Sequence, residues 1–287
     1  MKISILLVIT FIIIFILVFV YTDYSFEHYT QYSDTQYSDK KSNFNNSIKT
    51  NKNLLIYAYH VKKNSVREID NLKFLIDHGK IQEFDMILVS NGSEIPFFVP
   101  ENVKIIKRQN TGYDFEAWYH GLVSIDYKKY EYFTFMNSSV KGPYLPLWHY
   151  NTNNHWMNYF TQYIDNKTKL VGTTINYEHS KHIQSMFWVT DIIGLDLILL
   201  NKMLPYKNIL NMRDTILKYE IGLSKLFLDN NYNIKGIYSR GILDEKHNNI
   251  SLNNSIHPFD IIFPKNNNIN SYKILDYYDK IYSKLKT

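Results

Sequence analysis

Cysteine is absent from the sequence, so disulfide bonds and thiolate metal sites are excluded. A concentrated basic face is also lacking, because the formal net charge is only +5 and the Lys and Arg residues are spread along the chain. Nucleic-acid binding depends on such a face, so the sequence argues against a nucleic-acid partner. Hydrophobic residues make up 45% of the chain, which is enough for a sizeable core.

The N-terminal part divides into two segments of different composition. Residues 3–21 are apolar except for Ser4 and Thr10. At 1.5 Å per residue this run is about 28 Å long, close to one hydrocarbon core. Basic residues precede it and acidic residues follow, which predicts a signal-anchor over 1–21 and a single-pass type II membrane protein, facing the Golgi or ER lumen or lying in a viral membrane. Residues 22–52 lack an apolar period and predict a flexible stem.

Residues 53–287 are predicted to form one α/β domain. Short apolar runs alternate with segments of helical spacing, a pattern typical of a doubly wound, mostly parallel, Rossmann-like sheet. The clearest predicted strands are residues 54–59, 84–90, 103–107 and 132–136. Ligands of such folds bind in the crevice outside the carboxyl ends of the strands.

The stretch RQNTGYDF, residues 108–115, joins a predicted strand to a predicted helix. A strand that breaks at Asn-Thr-Gly and restarts as an Asp-capped helix is a layout by which α/β folds hold a nucleotide. The predicted nucleotide contacts are Arg108, Asn110, Gly112 and Asp114. Gly112 either allows close backbone approach or supplies a positive φ. The alternative is that Arg108 is a solvated strand end and Asp114 only a helix cap.

Four motifs in a fixed order give the chain a resemblance to a known family. They are RQNTGYDF at 108–115, NSSVKGP at 137–143, HIQSMFW at 182–188 and EIGLS at 220–224. The ordered set resembles the rhamnan-synthesis-type glycosyltransferases and their eukaryotic and large-virus relatives, which have the GT-A fold. The resemblance implies transfer of a sugar from a nucleoside-diphosphate sugar to a glycan or glycoconjugate acceptor, with inversion at the sugar.

The residues that stand where metal-dependent relatives carry acids are neutral in this chain. They are Asn137, Ser138 and Ser139, which the resemblance assigns to the donor site. Neutral oxygens are poor sole ligands for Mg²⁺ or Mn²⁺, so three alternatives stay open. A metal is held by other groups such as His257, or Arg108, Lys141 and backbone N–H groups neutralise the diphosphate without metal, or catalysis has been lost. The last alternative describes a non-catalytic carbohydrate-binding or scaffold protein on a decayed GT-A fold.

A second polar group opens the predicted strand that ends at residue 191 and is assigned to the acceptor site. It comprises His182, Gln184, Ser185 and Trp188. Because side chains alternate along a strand, His182 and Gln184 are predicted to share one face and Ser185 to lie on the other. Trp188 is either a core residue or a platform for a sugar ring.

Glu220 is the predicted catalytic base. The resemblance places it where an acid at a helix start deprotonates the acceptor hydroxyl, and an inverting displacement needs one carboxylate opposite the departing nucleotide. Asp191 is the second-choice base. Each has a structural alternative, since Glu220 also fits the exposed first turn of a helix and Asp191 fits a helix N-cap.

Overall fold

The computed structural model describes residues 52–145, 149, 154–208, 210–238, 257–266 and 269–284. All of them belong to the unit Lys49–Thr287. The predicted signal-anchor at 1–21 and nearly all of the predicted stem at 22–52 lie outside the described residues.

A seven-stranded mixed sheet organises the described part of the chain, in the order β3-β2-β1-β4-β8-β5-β9. β1 pairs in parallel with β2 and β4, β2 with β3, and β5 with β9, whereas β8 runs antiparallel to both β4 and β5. The short strands β6 and β7 form a separate antiparallel pair. The strands are β1 (Asn53–Tyr59), β2 (Asp85–Asn91), β3 (Val103–Arg108), β4 (Tyr132–Asn137), β5 (Thr168–Gly172), β6 (Ile175–Asn176), β7 (His182–Ile183), β8 (Phe187–Asp191) and β9 (Asn233–Gly236).

Helices connect the strands and cover both faces of the sheet. The α-helices are α1 (Arg67–His78), α2 (Tyr113–Val123), α3 (Asn158–Thr161), α4 (Ile192–Leu200), α5 (Met212–Thr215), α6 (Gly222–Asp229), α7 (Pro258–Ile261) and α8 (Ile269–Lys284). Single turns of 3₁₀ helix lie at Ile81–Glu83 and Tyr127–Lys129. A π-helical segment, Ile216–Ile221, joins α5 directly to α6.

The core has one layer on each face of the sheet. Leu54 and Ile56 of β1 are fully buried and belong to a cluster with residues of α2, α4 and α6. Leu55 and Tyr57 point to the opposite face, into a cluster with residues of α1 and α3. Because each fully buried Leu or Ile contributes about 2 kcal/mol of transfer free energy, a strand buried on both faces is strongly fixed in position.

Among the described helices, none is long and apolar enough to cross a membrane. The longest, α8, has 16 residues and includes Lys273, Asp276, Asp279 and Lys280. A membrane-spanning helix needs about 20 mainly apolar residues. This finding corrects the predicted fold class and localisation, in which a spanning helix and a single-pass membrane protein were expected.

The strand directions define one edge of the sheet, called the carboxyl edge below, at which β1 to β4 end. Residues 59, 91, 108 and 137 are the last residues of these strands. Because β8 is antiparallel to β4, Phe187 at its start pairs with Met136 and lies at this edge. Asp191 at its end pairs with Tyr132 and therefore lies at the opposite edge.

Candidate active site

The turn between β3 and α2, residues 109–112, is held by a buried ion pair. Arg108 donates to Glu116, and their side chains are 12% and 6% exposed. Arg108 Nη1 also donates to Asn91 Oδ1 at 2.7 Å, while Glu116 accepts from Thr111 Oγ1 at 2.9 Å and from the Asn208 backbone N–H at 2.7 Å. The guanidinium is thus occupied by protein groups. Arg108 therefore holds the shape of the turn, and it is neither a solvated strand end nor an unpaired cation.

Gly112 is required at this turn on two grounds. Its φ of +64° lies in the left-handed region, and a Cβ there would lie 1.7 Å from Glu116 Oε2. Gly112 is also the N-cap residue of α2, so the prediction that Asp114 caps the helix is wrong. Asp114 lies inside the first turn instead, with its carboxylate free to accept from another strand end.

We expect Gly112→Ala to lower the free energy of unfolding by more than about 2 kcal/mol, because it combines a strained φ with a collision against the buried ion pair. Urea denaturation measures this directly. Gly222→Ala is the matched control, since Gly222 has a helical φ of −60° and its added Cβ would lie 3.2 Å from the flexible Met203 Cε. Equal losses in the two variants would contradict the requirement at Gly112.

Asn137, at the end of β4, connects two of the predicted donor-site residues. Its Nδ2 donates to Asp114 Oδ2 at 2.7 Å, and its Oδ1 accepts from the Ser139 backbone N–H at 3.0 Å and from Ser139 Oγ at 2.5 Å. These partners fix the orientation of the amide. The structure therefore brings Asp114, Asn137 and Ser139 together, and their role in donor binding stays a prediction.

The half-buried Asp114 has an unusual ionisation. Desolvation raises its pKa, the hydrogen bond from Asn137 lowers it, the charge of Glu220 raises it, and His60 and Lys62 lower it. The net result is a pKa of about 6. A carboxylate whose pKa is raised this far by its surroundings is typical of a functional cleft.

His60 and Ser138 link the loops that follow β1, β2 and β4. His60 Nδ1 lies 2.9 Å from the Asn91 backbone oxygen, and its Nε2 lies 3.1 Å from Asn110 Nδ2. This pattern is satisfied when Nδ1 carries the proton and Nε2 accepts from the amide. Ser138 Oγ donates to the His60 backbone oxygen at 2.9 Å. Asn110 and Ser138 therefore belong to the same edge of the sheet as Asp114.

Glu220 lies in the π-helical segment and is bound by the loop that precedes β8. The Ser185 backbone N–H donates to Glu220 Oε2 at 2.9 Å, and Ser185 Oγ donates to the same oxygen. His182 Nε2 lies 3.7 Å from Glu220 Oε1. π-Helical turns within α-helices are frequent at functional sites. Glu220 is therefore not an exposed surface residue, and its side chain is 16% exposed.

The predicted alternation of side chains between His182 and Ser185 is wrong. The expected single strand is broken into β7 and β8, and residues 184–186 between them are not in strand conformation. The break places His182 and Ser185 on the same carboxylate, that of Glu220. Gln184 faces another neighbour, with Thr174 Oγ1 donating to its Oε1 at 3.4 Å.

The Glu220–His182 pair is stabilised in its charged form. Desolvation alone raises the pKa of Glu220, but the neighbouring His182 and the hydrogen bonds from Ser185 outweigh it and hold that pKa below its ordinary value. Desolvation alone lowers the pKa of His182, but its ion pair with Glu220 and its hydrogen bond to the Ser180 backbone raise the net value. Glu220 is consequently ionised at neutral pH and has a fixed orientation.

Four charged side chains share this site. The charge of Glu220 acts on both Asp114 and Lys265, and the charge of Lys62 acts on the same two groups. Asp114 comes from the β3–α2 connection, Glu220 from the π-helical segment, and the two lysines from segments after β1 and after α7. Asn137 also connects the two parts by geometry, because its backbone N–H donates to the Met186 oxygen at 3.1 Å, next to the Ser185 that binds Glu220. The fold thus places the Asp114–Asn137 pair near the predicted base.

The side chains of two predicted site residues are taken up by structural contacts. Lys141 is 4% exposed, forms an ion pair with Asp279 of α8, and has its Nζ 5.3 Å from the centre of the Phe74 ring. His257 caps α7, with its Nδ1 accepting from the Phe259 backbone N–H at 3.3 Å. The predictions of a diphosphate contact at Lys141 and a metal ligand at His257 are therefore not supported by the geometry.

Asp191 and Trp188 are also displaced from the site. Asp191 accepts from the Gly194 backbone N–H at 2.9 Å as the N-cap of α4 and pairs with Lys169, at the edge opposite the carboxyl edge. It is therefore not a base for this site. Trp188 is 1% exposed and stacks on Phe135 with ring centroids 4.0 Å apart. It is a core residue and not a platform for a sugar.

The donor atoms at the carboxyl edge do not fit a divalent metal. Within the part of the chain that the structure describes, no three His, Cys, Asp or Glu side chains are grouped so that they could hold a metal ion. The Asn137 amide oxygen, a neutral candidate ligand, already accepts from Ser139. Mg²⁺ and Mn²⁺ favour several carboxylate oxygens, and the carboxylate beside Asn137 is that of Asp114 alone, which already accepts from the Asn137 amide.

Sequence reasoning missed several residues that build the site. They are His60, Lys62, Glu116, Asn208 and Lys265. Glu116 had an available signal, because it is a second acid two residues after Asp114 and near a lone Arg. Lys265 had none, because its approach depends on an isolated bridge between Val140 and Lys265 that no local pattern encodes.

Comparison with known proteins identifies the family of this chain. The family model described as rhamnan synthesis protein F matches residues 98–276, more than half of the chain. The chain belongs to this family, and membership supports a glycosyltransferase in general. The resemblance expected from the four motifs is thereby confirmed. A comparison with curated proteins gave no match.

Several solved structures are similar to the chain at low identity. A mannosyltransferase from Pyrobaculum calidifontis, in complex with GDP-Man and Mn²⁺, has a TM-score of 0.42 at 9% identity and covers 64% of this chain. The chain in turn covers about half, 54%, of that structure. A glycosyltransferase involved in glycosylation of the PBCV-1 major capsid has a TM-score of 0.41 at 12% identity, covering 78% of this chain and 98% of its own. The 4-diphosphocytidyl-2C-methyl-D-erythritol synthase from Anaerococcus prevotii has a TM-score of 0.39 at 14% identity. It covers 66% of this chain and 89% of its own.

Proposed function

We propose that this chain transfers a sugar from a nucleoside-diphosphate sugar to a glycan or glycoconjugate acceptor, with inversion, at the carboxyl edge of the sheet. The observation that carries the proposal is the convergence of an oriented, ionised Glu220 with the Asp114–Asn137 pair. Family membership supports the same class of reaction.

The donor nucleotide is proposed to bind over the β3–α2 turn. Asp114 offers carboxylate oxygens to ribose or base hydroxyls, and its position is fixed by Asn137. Asn110 and the Gly112 backbone, which has no side chain to block approach, line the same turn. Arg108 supports binding indirectly, because its ion pair with Glu116 keeps the turn in shape.

The chemical step is proposed to use Glu220 as general base. A Glu220 carboxylate oxygen takes the proton of the acceptor hydroxyl as that oxygen bonds to the anomeric carbon. The bond between the anomeric carbon and the phosphate oxygen breaks, and its electron pair leaves with the nucleoside diphosphate. Ser185 and His182 keep the carboxylate oriented, and a net pKa below the ordinary value keeps it ionised before the reaction.

A second candidate function is a non-catalytic carbohydrate-binding or scaffold protein. The observation that favours it is the neutral set Asn137, Ser138 and Ser139, together with the lack of any metal-binding group among the described residues. It predicts that a nucleotide or glycan binds without turnover. The intact Glu220–His182–Ser185 arrangement favours the transferase over this candidate.

Release of nucleoside diphosphate from a panel of nucleotide sugars tests the proposal. The purified full chain is incubated with each donor, with and without EDTA, and with and without oligosaccharide acceptors. We expect release from one donor that an acceptor accelerates. Binding of a donor without any release would support the scaffold, and neither binding nor release of any donor would contradict both candidates.

A further inference from the structure

The basic side chains that sequence reasoning assigned to the diphosphate are already neutralised by the protein. Arg108 is paired with Glu116, and Lys141 is paired with Asp279. Both pairs are largely buried, so a diphosphate could recruit either cation only by leaving a carboxylate unpaired. Breaking a buried pair in this way is costly. The charge of a bound diphosphate must therefore be met by other groups.

Lys265 is fixed to the loop that follows β4. It forms an isolated antiparallel bridge with Val140. The next residue, Asn266, is fully buried, donates from its backbone N–H to the Ser139 oxygen at 2.7 Å, and donates from Nδ2 to Asn71 Oδ1 at 2.7 Å. These contacts tie the backbone of Lys265 to the strand end that carries Asn137, Ser138 and Ser139.

Lys62 lies in the loop that follows β1 at the carboxyl edge, within electrostatic range of Lys265. Desolvation lowers the pKa of Lys265, the charge of Glu220 raises it, and the charge of Lys62 lowers it. Neither ammonium donates a hydrogen bond or forms an ion pair with any residue that the structure describes. The nearby carboxylates are Glu220, whose charge acts on Lys265, and Asp114, on which the charge of Lys62 acts. Because neither carboxylate forms an ion pair with either lysine among the described residues, both ammonium groups can donate to the oxygens of an anionic ligand.

We propose that Lys265, assisted by Lys62, binds the diphosphate of the donor and neutralises the charge that develops on it as the sugar leaves. This inference rests on the proposed function and names the cation of that same site. The lysines stay protonated throughout and donate hydrogen bonds to phosphate oxygens, so no proton or bond changes at Lys265. They supply the positive charge that a metal ion would otherwise provide, because the described residues include no group of three His, Cys, Asp or Glu side chains that could hold one.

Binding and turnover of Lys265→Gln and Lys265→Arg test the inference, with Lys73→Gln as a control. Lys73 is an exposed residue of α1 paired with Asp77, so its substitution removes the same formal charge away from the site. Calorimetry in EDTA compares a nucleoside, its monophosphate and its diphosphate, using the base that the wild-type full chain prefers. Thermal unfolding confirms that each variant is folded.

We expect Lys265→Gln to weaken diphosphate binding at least about 10-fold and turnover about 100-fold, while nucleoside binding stays unchanged. Lys265→Arg should recover most of the affinity, and Lys73→Gln should match the wild type. Unchanged diphosphate affinity in Lys265→Gln, or an equal loss for the nucleoside, would overturn the inference, as would strict dependence of turnover on added Mn²⁺. A wild-type chain that binds no nucleoside diphosphate would instead overturn the proposed function.

Discussion

Glu220→Gln is expected to lower the rate of sugar transfer by about 10³-fold while changing donor affinity by less than about 3-fold. Glutamine has nearly the shape of glutamate, and its Oε1 can still accept from the Ser185 backbone N–H. It cannot take a proton from the acceptor hydroxyl. The loss should therefore fall on the chemical step and not on binding.

Steady-state kinetics and donor binding, measured on the same preparations, separate these effects. Glu131→Gln is the matched control, because Glu131 is an exposed residue paired with Lys52 just before β4, at the edge opposite the site. It should leave both quantities unchanged. Full activity in Glu220→Gln would remove Glu220 from the role of base.

Asp114→Asn is expected to make the protein more stable at neutral pH and less active. The pKa of Asp114 is raised from 3.8 to about 6, so the folded state binds a proton more tightly than the unfolded state. Stability therefore falls as pH rises from about 4 to about 6 and stays reduced above that range. The free energy linked to a pKa difference of this size is about 3 kcal/mol, which the neutral amide avoids.

Chemical denaturation at pH 4 and pH 7.5 measures this prediction. The stability gain of Asp114→Asn should be near zero at pH 4 and approach about 3 kcal/mol at pH 7.5, with donor binding weakened about 10-fold or more. Asp165→Asn is the control, because backbone N–H groups of Thr168 and Lys167 lower the pKa of this exposed carboxylate. The change in stability caused by Asp165→Asn should therefore become more unfavourable as pH rises from 4 to 7.5, opposite to the trend for Asp114→Asn. A loss of stability in Asp114→Asn at pH 7.5 would contradict the assignment.

Sequence patterns located the elements that are defined by local signals. The predicted strand at 54–59 corresponds to β1, because a strand buried on both faces appears as a continuous apolar run. The predicted strand at 103–107 corresponds to β3, but β3 is an edge strand with mostly exposed or half-buried residues and not the buried strand that was expected. The residues that follow such strands, including Asn110 and Asn137, were correctly expected to lie at one edge. Because parallel strands end at the same edge of a sheet, the location of these residues can be predicted without knowing how the helices pack.

Long-range geometry accounts for what the sequence could not provide. Asp191 was misplaced because the direction of β8 is set by pairing with β4, which no pattern within β8 encodes. The break before β8, which brings Ser185 to Glu220, is likewise fixed by contacts across the chain. The role of a charged residue likewise depends on its partner in the folded chain. Arg108 was predicted to contact the diphosphate, and only the structure shows that its guanidinium is paired with Glu116.

A crystal structure of the full chain with its preferred nucleoside diphosphate tests the central claim most directly. The account predicts that the nucleotide lies at the carboxyl edge, with its ribose or base against Asp114 and the β3–α2 turn. Its terminal phosphate is expected to point toward the space in front of Glu220. A nucleotide bound at any other surface, with Asp114 and Asn137 out of contact, would contradict it.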